Sequence, residues 1–181
     1  MESFDQRLNR LKNSSPIEFI ETLINGQHNC TINQLEIAHQ HKLNSLLILG
    51  IHAVIENLSE YIFLKRRLKG IIFYLENFVD GESDGLKFSF IAKDLNEWRN
   101  IIAHQYLSRL GHYFEYDYTI NAGYIKDGDV IKFNPTIYFE QFKSAFLSDG
   151  KTKYCIHDYE KLLTQEGMNK AKEKFLMRFY N

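Results

Sequence analysis

The chain has 181 residues but only two prolines, two cysteines and one tryptophan, and its 22 Lys and Arg nearly balance its 23 Asp and Glu. Each scarcity excludes something. With so few prolines and no long Gly/Ser-rich or Pro-rich stretch there is no visible linker, so a single domain over 1–181 is expected. Cys30 and Cys155 cannot make a disulfide framework, and two thiols fit a reduced cytosol. A formal net charge of −1 rules out overall basicity as the means of holding nucleic acid, so an RNA site would have to be a local patch. The longest apolar run, Leu46 to Ile55, is interrupted by Gly50 and His52 and is too short to span a bilayer. The opening Met1-Glu2-Ser3-Phe4-Asp5-Gln6-Arg7 has no apolar signal region. A soluble cytoplasmic protein without a membrane partner is the expectation.

Metal ligands are equally thin. His39 and His41 lie two apart on an expected helix and point to different sides, and neither pairs with His28 or Cys30 at ligand spacing. The run Asp80 to Gly85 looks like the first half of a calcium loop, but the closing position falls on Ile91 rather than a glutamate, so it reads as a polar turn. Cys155 and His157 lack the third, orienting group of a thiol nucleophile. No metal and no other cofactor is expected.

What is present is apolar and aromatic: 44% of residues are hydrophobic and 14% are Phe, Trp or Tyr, enough for a substantial core. Helical patterns cover residues 2–12, then Pro16 to Ile24 closed by Asn25-Gly26. The longest runs from Thr31 or Asn33 to about Leu68, with Gly50 marking close packing or a bend. Ile71 to Phe78 and Leu86 to Lys93 complete this half. After Gly111 the period changes to two: Phe114, Tyr116 and Tyr118 alternate with polar residues. Asp127-Gly128 between Tyr124-Ile125 and Val130-Ile131 is a hairpin signal. Residues 113–133 are therefore expected to form a small antiparallel β-meander outside the bundle. Asn134-Pro135 should cap a helix to about Leu147, and Asp158 to Gln165 and Asn169 to Tyr180 should be two more.

One stretch concentrates chemistry: Glu97-Trp98-Arg99-Asn100-Ile101-Ile102-Ala103-His104-Gln105-Tyr106. Asp94 and Glu97 form a capping-box pattern and Gly111 is a stop signal, so a helix is expected over 94–110. Leu95, Trp98, Ile102, Tyr106 and Leu110 share one face, while Ile101 and Leu107 flank Asn100 and His104 on another. A helix apolar on two sides suggests burial against its own bundle on one side and against another element, or another subunit, on the other. Arg99 and His104 are about 140° apart on an ideal helix, so only the long guanidinium arm could bring them toward one groove. Read without any family, His104 is a core histidine and Arg99 an ion-pair residue.

The spacing R-N-x-x-x-H-x-Y resembles the signature of the HEPN family of nucleotide-binding and RNA-cleaving helical domains, and the terminal Tyr resembles its HepT-like toxin branch. The resemblance covers the motif helix and, loosely, residues 30–112. It implies a mainly α fold: an up-and-down helical bundle, here extended by the β-meander and C-terminal helices of 113–181. It also implies a metal-independent endoribonuclease acting as a homodimer through the motif helix, giving a 2′,3′-cyclic phosphate. The biological setting would be a toxin–antitoxin or antiviral system, with an antitoxin or a nucleotidyltransferase as partner. His104 would be the acid/base, Arg99 the phosphate clamp, and Asn100 would orient His104 or touch the phosphate. In HepT-like proteins the tyrosine matching Tyr106 is modified with AMP by the partner enzyme. The extra C-terminal region of about 70 residues departs from compact HepT-like chains, which puts the Tyr106 assignment in question more than the ribonuclease reading.

The residues around the motif have plainer readings as well. Glu56, in an amphipathic segment that resembles the neighbouring helix of HEPN bundles, is read first as a solvated glutamate and second as a partner for Arg99. Lys65, Arg66 and Arg67 suit the negative end of a helix dipole, or else contact RNA phosphates. Tyr113, Tyr116 and Tyr118 pack, or stack on bases. The alternative to an enzyme is a non-catalytic module holding a nucleotide or a protein.

Overall fold

The computed structural model describes residues 3–105, 114–145 and 159–180. Within them the chain is mainly helical with a small three-stranded sheet. Helices α1 (Phe4–Asn13) and α2 (Pro16–Gln27) both open on capping boxes, Ser3 with Gln6 and Ser15 with Glu18, which satisfy amide donors that a helix start leaves free. The stop expected at Asn25-Gly26 does not occur. The helix runs through Gly26 and a π-helical turn, His28–Ile32, directly into α3 (Asn33–Gln40). Ile24, Ile32 and Leu35 are all buried along that path, and their burial outweighs the roughly 1 kcal/mol that a mid-helix glycine costs.

The long pattern to Leu68 is broken instead where the sequence offers no glycine. Lys42 takes a left-handed φ of 54°, and the Leu43 amide returns to the Ala38 carbonyl at 2.8 Å, closing α3. Helix α4 (Asn44–Tyr61) folds back beside it, and Gly50 marks close packing, since a Cβ there would overlap the Leu35 side chain. Leu47, Ile48, Ile51, Val54, Ile55 and Leu58 make α4 the central rod of the core. Helix α5 (Arg67–Tyr74) continues into a π turn, and two 3₁₀ turns, Asp84–Leu86 and Phe88–Ile91, replace the helix expected over 86–93. Asp80 accepts the Ser89 amide at 3.0 Å, so the calcium-like run is a polar turn tied to the second of these. Because Phe88–Ile91 leads straight into α6 (Ala92–Gln105), Asp94 is not a cap; its carboxylate lies in the first helical turn and pairs with Lys126 at 3.1 Å.

The sheet corrects another expectation. Strands β1 (Phe114–Tyr116), β2 (Tyr124–Asp127) and β3 (Val130–Phe133) lie in the order β1-β3-β2, and β1 runs parallel to β3. Only β2 and β3 form the antiparallel hairpin, Asp127 opposite Val130, with Gly128 at φ 59° in its turn. It is therefore not an antiparallel meander. Residues 117–123 reverse the chain: Asp117 accepts from the Thr119 amide at 2.9 Å, and the Gly123 amide donates to the Gly85 carbonyl at 2.9 Å. The sheet is also not outside the bundle. Phe133, Ile131 and Tyr124 belong to the same buried cluster as the helices, and Phe88 touches Tyr124, Phe133 and Tyr138 with ring centroids 4.5–6.0 Å apart.

Asn134 caps α7 (Pro135–Ser144) by accepting from the Thr136 amide at 3.0 Å, as the Asn-Pro pair predicts. Of the two helices expected after Asp158, the first is helical at Tyr159 and Glu160, with Asp158 outside the described residues; the second, α8 (Gln165–Tyr180), begins earlier than Asn169 and lies on α2 and α4, with Phe175 edge-on to Phe19 and Tyr61. Among the described residues no helix is long and apolar enough to cross a membrane.

Gly123 is the tightest joint between sheet and helices, because a Cβ there would run into the ring of Phe88, which is 0% exposed. Gly123→Ala is expected to lower unfolding free energy by about 1–3 kcal/mol in urea titration. A loss no larger than that of an exposed substitution would show that Phe88 has room to shift.

Candidate functional site

Arg99 stands on α6 one residue beyond Trp98, which is buried against β1. Trp98 stacks on Phe114 at 4.1 Å and touches Phe133 at 5.7 Å, so the rotation of α6 about its axis is set by aromatic packing. That rotation turns Arg99 toward α4. Its Nη2 forms an ion pair with Glu56, and its Nη1 donates to Asn100 Oδ1 at 2.9 Å. The Arg99 side chain is 19% exposed and that of Glu56 34%, so the pair sits at the rim of the core rather than in bulk water. The solvated reading of Glu56 gives way to the ion-pair reading. Asn100 holds the guanidinium, where the sequence suggested His104 or a phosphate as its partner.

Beneath this pair lies a histidine that sequence reasoning passed over. His52 is one helical turn before Glu56 on α4 and is 0% exposed. Its Nε2 meets the Tyr138 hydroxyl at 3.3 Å, and its Nδ1 has no hydrogen-bond partner among the described residues. Burial, and secondarily the Arg99 charge, push its pKa down to about 3, so it is neutral. Tyr138 is likewise fully buried, and burial pushes its phenol well up. The signal for His52 was its place between Ile48 and Ile55 on the apolar face of α4, which marks a buried histidine but not its neighbours.

His104 is exposed on α6, five residues after Arg99. Asn100 and Ile101 are half-buried and Ala103 is exposed, so the described part of this second face is partly covered within the chain. Tyr106, with Leu107 and Leu110, lies outside the described residues, as do Tyr113, Cys155 and His157.

The basic run is divided by the fold. Lys65 sits over the Phe73 ring at 4.6 Å, in a cleft with Leu162 and Leu163. Arg66 and Arg67 line a different cleft, of about 370 Å³, together with Glu56, Asn57, Glu60 and Arg178. Arg178, from α8, is the residue that sequence order hid; it is 111 positions from Arg67 and only the docking of α8 places it there. Tyr118, exposed in the turn after β1, donates to Asn44 Oδ1 at 2.7 Å with Lys42 over its ring at 5.1 Å, which ties that turn to the α3–α4 turn. His39 meets the Thr136 hydroxyl at 3.0 Å. Among the described residues no three His, Cys, Asp or Glu side chains cluster as metal ligands do.

Against protein-family models, curated proteins and solved structures, the chain shows no match. Three features define the candidate site: an oriented arginine at a core rim, an exposed histidine on the same helix, and an arginine-lined cleft that shares Glu56.

The buried His52 has a consequence for acid stability. Its folded pKa, about 3, lies below its ordinary value of 6.5, so the unfolded chain takes up the proton first. The stability is fully present above pH 6.5 and is lost as pH falls toward 3, approaching about 1.4 kcal/mol per pH unit. Between pH 7.5 and 5 the wild type is expected to lose about 2 kcal/mol more than His52→Phe in urea titrations. Parallel losses in the two proteins would mean that His52 is not held neutral.

Proposed function

We propose that the protein is a metal-independent endoribonuclease of HEPN type that works as a homodimer through α6. The observation that carries the reading is the held guanidinium: Arg99 is fixed by Glu56 and Asn100 on the helix that exposes His104. Arginine has five N–H donors in a planar fork, and the contacts to Glu56 and Asn100 leave others for a phosphate oxygen. A preoriented cation stabilises the charge that develops on the phosphorane without reorganising during the reaction. His104 supplies proton transfer near neutral pH. Cleavage of RNA by its own 2′-hydroxyl needs a base and an acid, and one α6 offers one histidine; a twofold dimer would supply both. The exposure of His104 and Ala103 fits this better than an enclosed histidine would. A toxin or antiviral role, with an antitoxin or a nucleotidyltransferase acting on Tyr106, follows from the same reading.

The second reading, a non-catalytic nucleotide- or protein-binding module, draws on the same contacts. Arg99 is engaged with Glu56 within the chain, as a structural arginine would be.

Incubation with total RNA in EDTA separates the two. Arg99→Ala and His104→Ala are each expected to lower cleavage on the order of 100-fold or more while circular dichroism and light scattering stay unchanged. Glu56→Gln should lower it less, by loosening Arg99 rather than removing it. Full activity of His104→Ala, or activity that EDTA abolishes, would overturn the mechanism. Absence of cleavage by an intact dimer would favour the binding module, and a monomer at micromolar concentration would remove the composite site.

A further inference from the structure

The cleft between α4, the α4–α5 turn and α8 is built, and its charges do not balance. Glu60 receives two guanidiniums, Arg66 at 2.9 Å and Arg178. Arg178 also donates to the Tyr61 hydroxyl at 2.5 Å and lies 4.9 Å over that ring. Arg67 lines the same cleft, and no described residue pairs with it. With Glu56 committed to Arg99, Glu60 is the one carboxylate left in the cleft for three arginines.

The turn that presents Arg66 and Arg67 is held in an unfavourable backbone. Leu64 and Arg67 adopt left-handed φ of 57° and 55°, which side chains other than glycine rarely take. It is locked there: the Lys65 amide donates to the Ser59 carbonyl at 2.9 Å, and the Ser59 hydroxyl donates to the Gly70 carbonyl at 2.9 Å. Gly70 has no room for a Cβ against the Lys65 carbonyl. Ser59 and Gly70 are both buried, so the core holds two strained residues in place at a surface where arginines collect.

We propose that this cleft binds a terminal phosphate group, the 5′ end of an RNA or the end of a free polyphosphate. The choice follows from Glu60. A phosphodiester within a chain carries one charge and two free oxygens, as a carboxylate does, and would gain little by displacing Glu60. A terminal phosphate carries nearly two charges at pH 7 and presents three oxygens, which adds an acceptor for Arg67. Where the source is RNA, the inference deepens the ribonuclease reading and rests on it, because Glu56 is shared between this cleft and Arg99. The cleft would then measure distance from an RNA end to the Arg99 site. It also assigns α8 a role, since Arg178 closes the cleft from the far end of the chain.

The test uses the full chain and an uncleavable 2′-O-methyl RNA oligonucleotide, with either a 5′-phosphate or a 5′-hydroxyl, and pyrophosphate as the free probe. Fluorescence anisotropy is expected to show tighter binding of the phosphorylated oligonucleotide. Arg67→Gln should weaken that form by about tenfold or more and leave the hydroxyl form unchanged. Glu60→Gln should tighten the phosphorylated form by removing the competing carboxylate. Arg67 has no partner among the described residues, so its loss should not disturb the fold, and an unchanged melting temperature checks this. If pyrophosphate raises the melting temperature of wild type but not of Arg67→Gln, while no RNA is cleaved, the phosphate cleft stands and the ribonuclease reading falls. If RNA is cleaved but neither the 5′-phosphate nor pyrophosphate distinguishes wild type from Arg67→Gln, the cleft proposal falls and the ribonuclease reading stands. No response to any of these probes overturns the cleft.

Discussion

A guanidinium held at the edge of an apolar core is the constraint around which the candidate site is arranged. Arg99 can be only 19% exposed because Glu56 meets it from α4 and because the histidine beneath it is neutral. A protonated His52 would place a second, fully buried cation near Arg99, and burial and the Arg99 charge act together to prevent that. The pairing fixes α6 against α4 at one point. The stack of Trp98 on Phe114 fixes the other side of α6 against the sheet. The aromatic stack sets the helix rotation and the ion pair holds it, leaving Arg99 facing α4 and His104 exposed.

The sheet works here as a wedge inside the helical assembly. Phe133 and Tyr124 reach Phe88, and Phe88 reaches Tyr138, whose hydroxyl meets His52. A path of packed rings and one hydrogen bond therefore joins the hairpin to the floor of the Arg99 site. The order β1-β3-β2 serves this arrangement, because the strand that carries Phe133 must be central for its ring to be enclosed from both sides.

How much of the site could be read from the chain differs residue by residue. Arg99, Asn100 and His104 were legible because they share one helix, where spacing converts directly into angle. Glu56 was legible as a candidate and not as a partner, since an amphipathic pattern gives a face but not what lies opposite. His52 was visible as polar in an apolar run, yet its partners Tyr138 and Arg99 lie 86 and 47 positions away. Lys65 was grouped with Arg66 and Arg67 by adjacency. The left-handed residues Leu64 and Arg67 then turn the backbone so that Lys65 lies over Phe73 and the arginines line another cleft.

By itself the sequence determined what local rules govern: the capping boxes at Ser3 and Ser15, the Asn134-Pro135 helix start, the Asp127-Gly128 hairpin and the mainly helical character. Each depends on hydrogen bonds or torsions within a few residues. Tertiary structure decided the rest. It carried a helix through Gly26 because the burial of Ile24, Ile32 and Leu35 outweighs a glycine's cost. It broke another at Lys42, which has no sequence signal for a left-handed turn. It laid β1 parallel to β3, where Phe114 stacks on Trp98 of α6, a contact between residues that no local rule joins. It brought Arg178 beside Arg67, because α8 buries its apolar side on α2 and α4, and no periodicity in the chain encodes which surface a helix will find.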